Sequence, residues 1–463
     1  MKEISRKRFD AYVGFTRDPR IFIIGEELSY YQNESQTILG VILLDKIDHD
    51  FSVVILGRDE NKKFRAIDTL VSLKNISKAQ EWLFKKVSEI EAAGDVVFCQ
   101  GDGGNGVDLF SPTFNSSKIH PYFNVLNNKG SHCSAKKLLS EIAPHFYDID
   151  GNFVEQFQTT GFDSRLWEIY LQCYFNEEWL EIKRNHHTPD FILAWGDDEI
   201  ALEAVIVGRK DSPKLYELPK STEEIKLETK DNMPLRYGSP LNTKLTHKTK
   251  HKGKELHYWE LEHTKGKPFV IAIADFHECF SMMWSTTSLT NYLYGQRQTW
   301  YHNKNGKLII KAYKVSSHIK ETGAVIPSGF FYQLGVENIS AILHSTSGTL
   351  SKFNRMGKQC GFDDVGTHML RRCAVHNHDP NAAEPHFITY EVSEETNETW
   401  GEGITIYHNP NAKFPLPFDF FRSAAQCFIE KGKIKTLMPP IYVYSSATLL
   451  LTTRNTAGED SKK

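Results

Sequence analysis

Three acidic residues, Glu168, Asp190 and Glu203, fall within the stretch Gly161–Val207, which reads GFDSRLWEIYLQCYF, then NEEWLEIKRNHH, then TPDFILAWGDDEIALEAVIV. Carboxylates are hard oxygen ligands. Two of them, with waters and phosphate oxygens, make the usual environment of Mg²⁺. A cation held this way lowers the pKa of bound water and offsets charge on a reacting phosphoryl group. The chemistry these residue types point to is therefore the binding of a divalent cation such as Mg²⁺, provided that the chain brings the acids together.

The elements that must position them can be read from the same stretch. Asp163 or Ser164 is the expected helix N-cap, since a short side-chain oxygen can accept from the free N–H groups of the first turn. Leu166, Ile169, Tyr170, Cys173 and Tyr174 recur at helical spacing as a core face, and Glu168 lies one turn past the cap. Pro189 disfavours helix in the residue before it. Phe191–Trp195 and Ile200–Val207 are apolar runs of strand formers, with Gly196, Asp197 and Asp198 between them as a hairpin turn requires. A turn centred on Gly196–Asp197 puts Asp190 directly across from Glu203. Opposed Cβ atoms of an antiparallel pair lie about 4.5–5.5 Å apart, where two carboxylates repel unless a cation sits between them. A slip of one residue would send them to opposite faces.

Pro189-Asp190, a gap of a dozen residues, then Glu203-Ala204-Val205 in an apolar strand resembles the PD-(D/E)XK nuclease superfamily. The preceding helix with Glu168 resembles that superfamily's first motif, and the wider FDSRLWEIYL…PDF…LEAV pattern is similar to a bacterial branch of it. The resemblance covers roughly residues 150–345 as a fold and is sharp over 161–207. It implies an α/β (α+β) protein with a mixed central sheet flanked by helices. It also implies Mg²⁺ (or Mn²⁺) held by Asp190 and Glu203 with Glu168 in support, and hydrolysis of phosphodiester bonds in DNA. Restriction, repair and mobile-element enzymes belong to the superfamily, and defence against foreign or phage DNA is an association that the resemblance carries. One position departs from the pattern. The lysine expected two residues after the second acid, which would activate water or stabilise developing negative charge, is Val205 here. Either another group takes its role, or the chain is a catalytically inactive nuclease-fold protein that binds nucleic acid or serves as a scaffold.

Two residues outside the motif are candidates for that role. The segment LRYGSPLNTKLTHKTKHKGK carries Arg236, Lys244, Lys248, Lys250, Lys252 and Lys254 with no acid among them. A helix begun at Ser239 or Asn242 would carry Lys244 and Lys248 on one side, and Lys244 is the first candidate for the missing lysine. Arg236 and the four other lysines are candidate phosphate contacts. His186 would pair with Val207 in the hairpin register, on the face of Asp190, as a second candidate base or ligand.

Length and composition frame the rest. With 463 residues, two to four domains are expected. A hydrophobic content of 40% with 24% charged residues gives ample core and argues against wholesale disorder. The net charge of -3 carries no global nucleic-acid signature, so any phosphate-binding surface must be local. The expected units are a small α/β module over 1–95, a connecting segment over 96–150, the nuclease-like core over 151–350 with a basic insertion at 208–265, and a β-rich region over 351–463. In the first unit, 36–44, 50–56 and 63–73 read as strands of an antiparallel meander, followed by a helix over 77–90. In the second, Val97–Cys99 reads as a strand, Gly101–Gly106 as a plain glycine-rich turn, Asn115–Ser134 as a loop and Ala135–Ala143 as a helix. Lys267–Phe276 reads as a strand buried on both faces, Ser281–Leu293 as a helix, and Lys307–Tyr313 and Ile339–His344 as further strands. In the last unit Cys360, His368, Cys373 and His376 invite a zinc reading whose spacing matches no regular zinc motif; ordinary cysteines and loop histidines are the alternative. The scattered, odd-numbered cysteines, Cys99, Cys133, Cys173, Cys279, Cys360, Cys373 and Cys427, fit a reducing cytoplasm. The start MKEISRKRFD has no apolar segment behind it and is no signal peptide, and no stretch nears the roughly 20 apolar residues of a membrane span. DNA is the expected partner. RNA suits the same features, since nothing reads a 2′-hydroxyl, and a homo-oligomer or partner proteins of a defence system are the remaining partner readings.

Overall fold

A computed structural model describes residues 1–18, 20–101, 106–112, 118–146, 148, 151–183, 186–209, 220–363 and 366–452. The architecture is mixed α/β, of the α+β class.

At the N-terminus five antiparallel strands follow in chain order: Lys2–Glu3, Gly25–Gln32, Ile38–Asp45, Phe51–Arg58 and Phe64–Leu73. The last three are the expected meander; the first two lie in polar sequence that carries no alternation. The helix Ile76–Ala93 starts where the Asn75 side chain accepts from the Lys78 N–H (2.9 Å) and stops at Gly94, whose φ of 83° suits a residue without a Cβ. It buries Ala79, Leu83 and Val87 against Ile38, Ile42, Val53 and Ile55 of the sheet.

The connecting segment departs from expectation. Val97–Cys99 forms no strand, and the expected loop contains a helix, Pro121–Asn128, with Pro121 in its first turn and His120 as its cap. Of the glycine-rich run, 102–105 lie outside the described residues, as do 115–117 of the expected loop. The next helix, Cys133–Ile142, stands close to where it was expected.

The centre is an eight-stranded sheet in the order Lys433–Leu437, Ala425–Glu430, Ile404–His408, Ala341–Ser345, Phe269–Asp275, Asp198–Val207, Phe191–Trp195, Glu181–Lys183. Its three middle strands, 198–207, 269–275 and 341–345, run parallel. Phe269–Asp275 is buried at every residue, which is why its sequence is apolar without alternation. Helix Phe162–Glu177 packs on one face, where the Trp167 indole N–H donates to the Ala272 carbonyl (3.2 Å). Helices Met233–Thr246 and Thr286–Tyr294 cover the other.

Two expected boundaries move. The sheet takes its last three strands from 404–437, so the region beyond 351 is not set apart from the core. What remains of it is a three-stranded sheet of Thr367–Val375, His386–Glu391 and Val443–Thr452, together with helix Leu350–Gln359. That helix lies so close to Cys133–Ile142 that a Cβ on Gly357 would meet the Ser134 carbonyl oxygen at 2.2 Å. The expected strand 307–313 exists as Leu308–Lys314, but it pairs only with Gln296–His302 in a ribbon outside the central sheet.

Among the described residues no helix is long and apolar enough to cross a membrane. Four of the seven cysteines, Cys173, Cys360, Cys373 and Cys427, are buried.

Candidate active site

The hairpin that carries two of the acids has the expected register. Phe191 pairs with Leu202, Leu193 with Ile200 and Trp195 with Asp198, around a turn in which Gly196 takes a φ of 59°. One step beyond the first pair, Asp190 meets Glu203. The Asp190 backbone N–H donates to Glu203 Oε2 (3.3 Å), and the Ala204 N–H donates to Asp190 Oδ2 (2.8 Å). The two carboxylates are thus cross-tied through main-chain donors of each other's strands. Glu203 is buried on the sheet face that helices 233–246 and 286–294 cover.

The position that a catalytic lysine would occupy on the strand, Val205, packs its side chain into that apolar layer. The cation comes from the covering helix. Lys244 Nζ lies 2.5 Å from Glu203 Oε1. The same oxygen accepts from the Tyr258 hydroxyl (3.0 Å), and Lys244 stands over the Tyr258 ring at 5.8 Å. The Tyr258 hydroxyl pKa is pushed up, first by burial and then by Glu203. It therefore stays a donor to the carboxylate.

Lys244 was expected on a helix begun at Ser239 or Asn242. The helix begins earlier: residues 222–246 run on through Thr222–Leu227, a wider turn at Glu228–Asn232, and Met233–Thr246, with Pro234 in the first turn of the last piece. It ends before Lys248. That residue therefore leaves the helix for a small hairpin, Thr249–His251 with Lys254–Leu256, turned by Lys252 and Gly253 at positive φ. Lys248, Lys250, Lys252 and Lys254 are all exposed there. Lys250 faces Glu255 across the hairpin, and Lys252 reaches Glu262 at 3.4 Å. Arg236 is not on this arm. It lies within the helix, half-buried, and its Nε makes no hydrogen bond among the described residues.

Glu168 stands on helix Phe162–Glu177, inside the predicted helical turn. Its carboxylate is gripped by Arg165 Nη1 at 2.8 and 2.9 Å, and Arg165 also donates to Gln156. Burial raises the Glu168 carboxyl, Arg165 opposes it, and Glu203 adds to the rise. The helix start was misassigned. Gly161 occupies the cap position, and Asp163 is buried in the first turn, paired with Arg209 at 3.2 Å.

Asp190 has the least compensated charge of the three. Its side chain is exposed to solvent on one side, while protein crowds the rest of it. That crowding, then Glu203, then Glu168 push its carboxyl well above the usual carboxylate range, against the Ala204 N–H and Lys244. A divalent cation beside Asp190 and Glu203 would reverse that push, and two carboxylates with open oxygen positions suit Mg²⁺ or Mn²⁺. The fit is to two acids rather than three. Among the described residues no group of three His, Cys, Asp or Glu side chains is placed to hold a metal ion, and Glu168 is occupied by Arg165.

The other expectations do not converge here. The ladder stops at Phe191, so His186 never pairs with Val207; it is exposed and stacks on His263 at 3.7 Å. The zinc set does not assemble. His368 is exposed beside Glu391 (2.6 Å), Cys373 is buried on the other face of the same strand, and His376 bonds the Tyr444 hydroxyl (2.8 Å). Asp275 is buried and bonded to His277 (2.7 Å), away from the acids. Tyr258 and Arg165 were missed. Arg165 was legible as the residue three before Glu168 on a helix, where charged pairs meet; Tyr258 carried no signal. Comparison of the chain with protein-family models, with curated proteins and with solved structures gave no match in any of the three.

Proposed function

We propose that the protein is a metal-dependent phosphodiesterase, a nuclease of the PD-(D/E)XK type acting on DNA, with a role in defence against foreign or phage DNA in the cytoplasm. The observation that carries this reading is Lys244 Nζ at 2.5 Å from Glu203 Oε1. The strand lacks its lysine, yet a lysine from the adjoining helix stands at the second acid. Asp190 and Glu203 would hold a Mg²⁺ or Mn²⁺ ion, which would activate water and neutralise charge on the phosphate. Lys244, in contact with Glu203, would orient the attacking water and stabilise negative charge that develops on the phosphate. Tyr258 fixes the Glu203 carboxylate by its hydrogen bond, and Arg165 holds Glu168 beside the pair. The exposed lysines 248, 250, 252 and 254 follow directly from the Lys244 helix and supply phosphate contacts next to the site.

One observation favours a second reading, an inactive nuclease-fold protein that binds nucleic acid or acts as a scaffold. Glu203 Oε1 already serves both Lys244 and Tyr258, which leaves fewer oxygens for a cation. The deciding assay incubates the purified protein with plasmid and with single-stranded DNA in Mg²⁺, Mn²⁺ or EDTA. Cleavage that needs the metal and falls at least ~100-fold in Asp190→Ala and Glu203→Ala supports the enzyme. Binding without cleavage under every metal, unaffected by either substitution, supports the scaffold and removes the enzyme reading.

A further inference from the structure

The ribbon formed by Gln296–His302 and Leu308–Lys314 is anomalous for a protein surface. Its strands pair with each other and with nothing else, and it exposes large apolar side chains on both faces, Tyr301 (45%) and Tyr313 (52%) on one and Trp300 (52%) and Ile310 (59%) on the other. Single exposed apolar residues are ordinary, but two large ones on each face of one short ribbon ask for a partner. Two-stranded ribbons are marginal on their own. This one is tied at both ends. Gln296 donates to the Gly432 carbonyl (3.2 Å), His302 Nε2 meets the Asn381 carbonyl (2.8 Å), and the Asn303 side chain accepts from the N–H groups of Asn305 (2.9 Å) and Lys307 (3.0 Å) to shape the turn. The aromatic rings are therefore held in place on a braced platform.

The charge on this platform is one-sided. From Gln296 to Lys320 the chain carries Arg297, Lys304, Lys307, Lys311, Lys314 and Lys320 and no acid, in a protein whose net charge is -3. The register orders the two features. Arg297 pairs with Tyr313, Thr299 with Lys311, and Tyr301 with Ile309, so one face alternates cation and ring. Lys311 Nζ stands 5.0 Å over the Tyr301 ring. Cations interleaved with solvent-facing aromatic rings are the means by which proteins hold single-stranded nucleic acid, the phosphates on the cations and unpaired bases on the rings.

We propose that this ribbon is a second nucleic-acid contact, a stacking platform for single-stranded DNA that feeds or holds the substrate of the proposed nuclease. The inference rests on the nucleic-acid reading of the acidic site, but it concerns binding and not cleavage. The ribbon follows directly from helix Thr286–Tyr294, which packs against the helix that carries Lys244, where Asn242 donates to the Tyr292 hydroxyl (3.1 Å). Platform and site are thus joined through one pair of packed helices.

The test measures binding of fluorescein-labelled oligothymidylate and of a blunt duplex by fluorescence anisotropy, in EDTA, to the full chain. Tyr301→Ala/Tyr313→Ala is expected to weaken oligothymidylate binding at least ~10-fold, with much less effect on the duplex. Arg297→Gln/Lys311→Gln is expected to weaken binding and to lower the slope of log affinity against log salt by about 1.4, as loss of two phosphate contacts to a single strand does. Circular dichroism melts of both variants should match the unsubstituted protein, because the four side chains are exposed. Wild-type oligothymidylate binding in the aromatic variant overturns the platform, as does a loss confined to duplex. A dimer that becomes monomeric in the aromatic variant while oligothymidylate binding is unchanged also overturns it, in favour of a second copy on this face. Cleavage by Asp190→Ala, read in parallel, separates the two proposals. Unaltered cleavage in that variant with weakened binding in the ribbon variants removes the site and keeps the platform; the reverse pattern removes the platform and keeps the site.

Discussion

Two clusters of charge are packed into this protein, and they are balanced in opposite senses. Between helix Leu350–Gln359 and strand Thr367–Val375, the fully buried Lys352, Arg355 and Arg371 converge on Glu398 and Glu402. Lys352 Nζ reaches Glu398 Oε1 at 2.7 Å, Arg355 forks onto both Glu398 oxygens at 2.7 and 2.8 Å, and Arg371 bridges Glu398 (3.2 Å) and Glu402 (3.0 Å). Burial alone would raise the Glu398 carboxyl, but Arg355 and Lys352 outweigh it and hold it far below the usual range. In the Asp190–Glu203–Glu168 cluster the acids outnumber the cations close to them, and the same burial drives Asp190 the other way. A cluster whose charges are matched by fixed partners locks one arrangement of the chain. A cluster left with surplus negative charge and one acid exposed to solvent has a charge that a visiting cation would offset, which is the feature the proposed function uses.

The contrast can be broken or sharpened by experiment. The largest effect is expected where the charges are matched. Glu398→Gln leaves the buried Lys352 and Arg355 without a carboxylate and Arg371 with Glu402 alone, and should lower unfolding stability by about 3–5 kcal/mol in urea titrations; a loss within experimental error would mean that the cluster is not a lock. At the acidic cluster stability should barely respond and activity should. Lys244→Met is expected to cut metal-dependent cleavage ~100-fold, about 2.7 kcal/mol of transition-state stabilisation. Adding Val205→Lys to that variant should recover part of the rate, because it restores the cation to the strand. Cleavage at the unsubstituted rate in Lys244→Met would remove this lysine from the reaction. In EDTA, Asp190→Asn relieves the repulsion between opposed carboxylates and should leave stability unchanged or raise it by about 0.2–1 kcal/mol. A drop instead would place Asp190 with the structural charges.

The comparison is sharpened last at a residue between the two classes, Glu177, which accepts from the Trp400 and Gly401 N–H groups at 2.9 and 2.8 Å. Burial raises its carboxyl from an ordinary 4.5 to about 7, against those donors and Lys352. The folded protein thus keeps a proton that the unfolded chain has released. Stability from this group is complete below pH 4.5 and is lost as pH rises through about 7. Glu177→Gln should flatten the melting temperature over that interval, and an unchanged pH profile would count against the assignment.

The acidic hairpin was legible in the sequence because its determinants are local. Pro189 fixes where the strand can begin, Gly196 fixes the turn, and the period of two then places Glu203 opposite Asp190. Lys244 was legible only as one of several basic residues that could replace the missing lysine, since its approach to Glu203 spans 41 positions of chain. Its helix start was misread because the turn at Glu228–Asn232 continues the helix past the point where Pro234 and Pro240 suggest a break. Asp163 looked like a cap and instead answers Arg209, a partner 46 residues away. The zinc set failed on parity. His368 and Cys373 are five residues apart on one strand and so face opposite ways. Ile404–Leu437 read as part of a separate region because nothing local in a strand says which sheet it will join.

That last feature bears on how the protein is made. The strand with Glu203 ends at Val207, and the sheet it belongs to is finished only by the strand that ends at Leu437, roughly 230 residues later. At about 5–20 residues per second of synthesis, the nascent chain waits some 10–50 s between making its acidic hairpin and acquiring the last strands of that sheet. Pairings so distant in sequence also fold slowly. An activity of the kind proposed above would thereby be held back on the ribosome, with the acids already made and the sheet still open, until the strand ending at Leu437 had emerged.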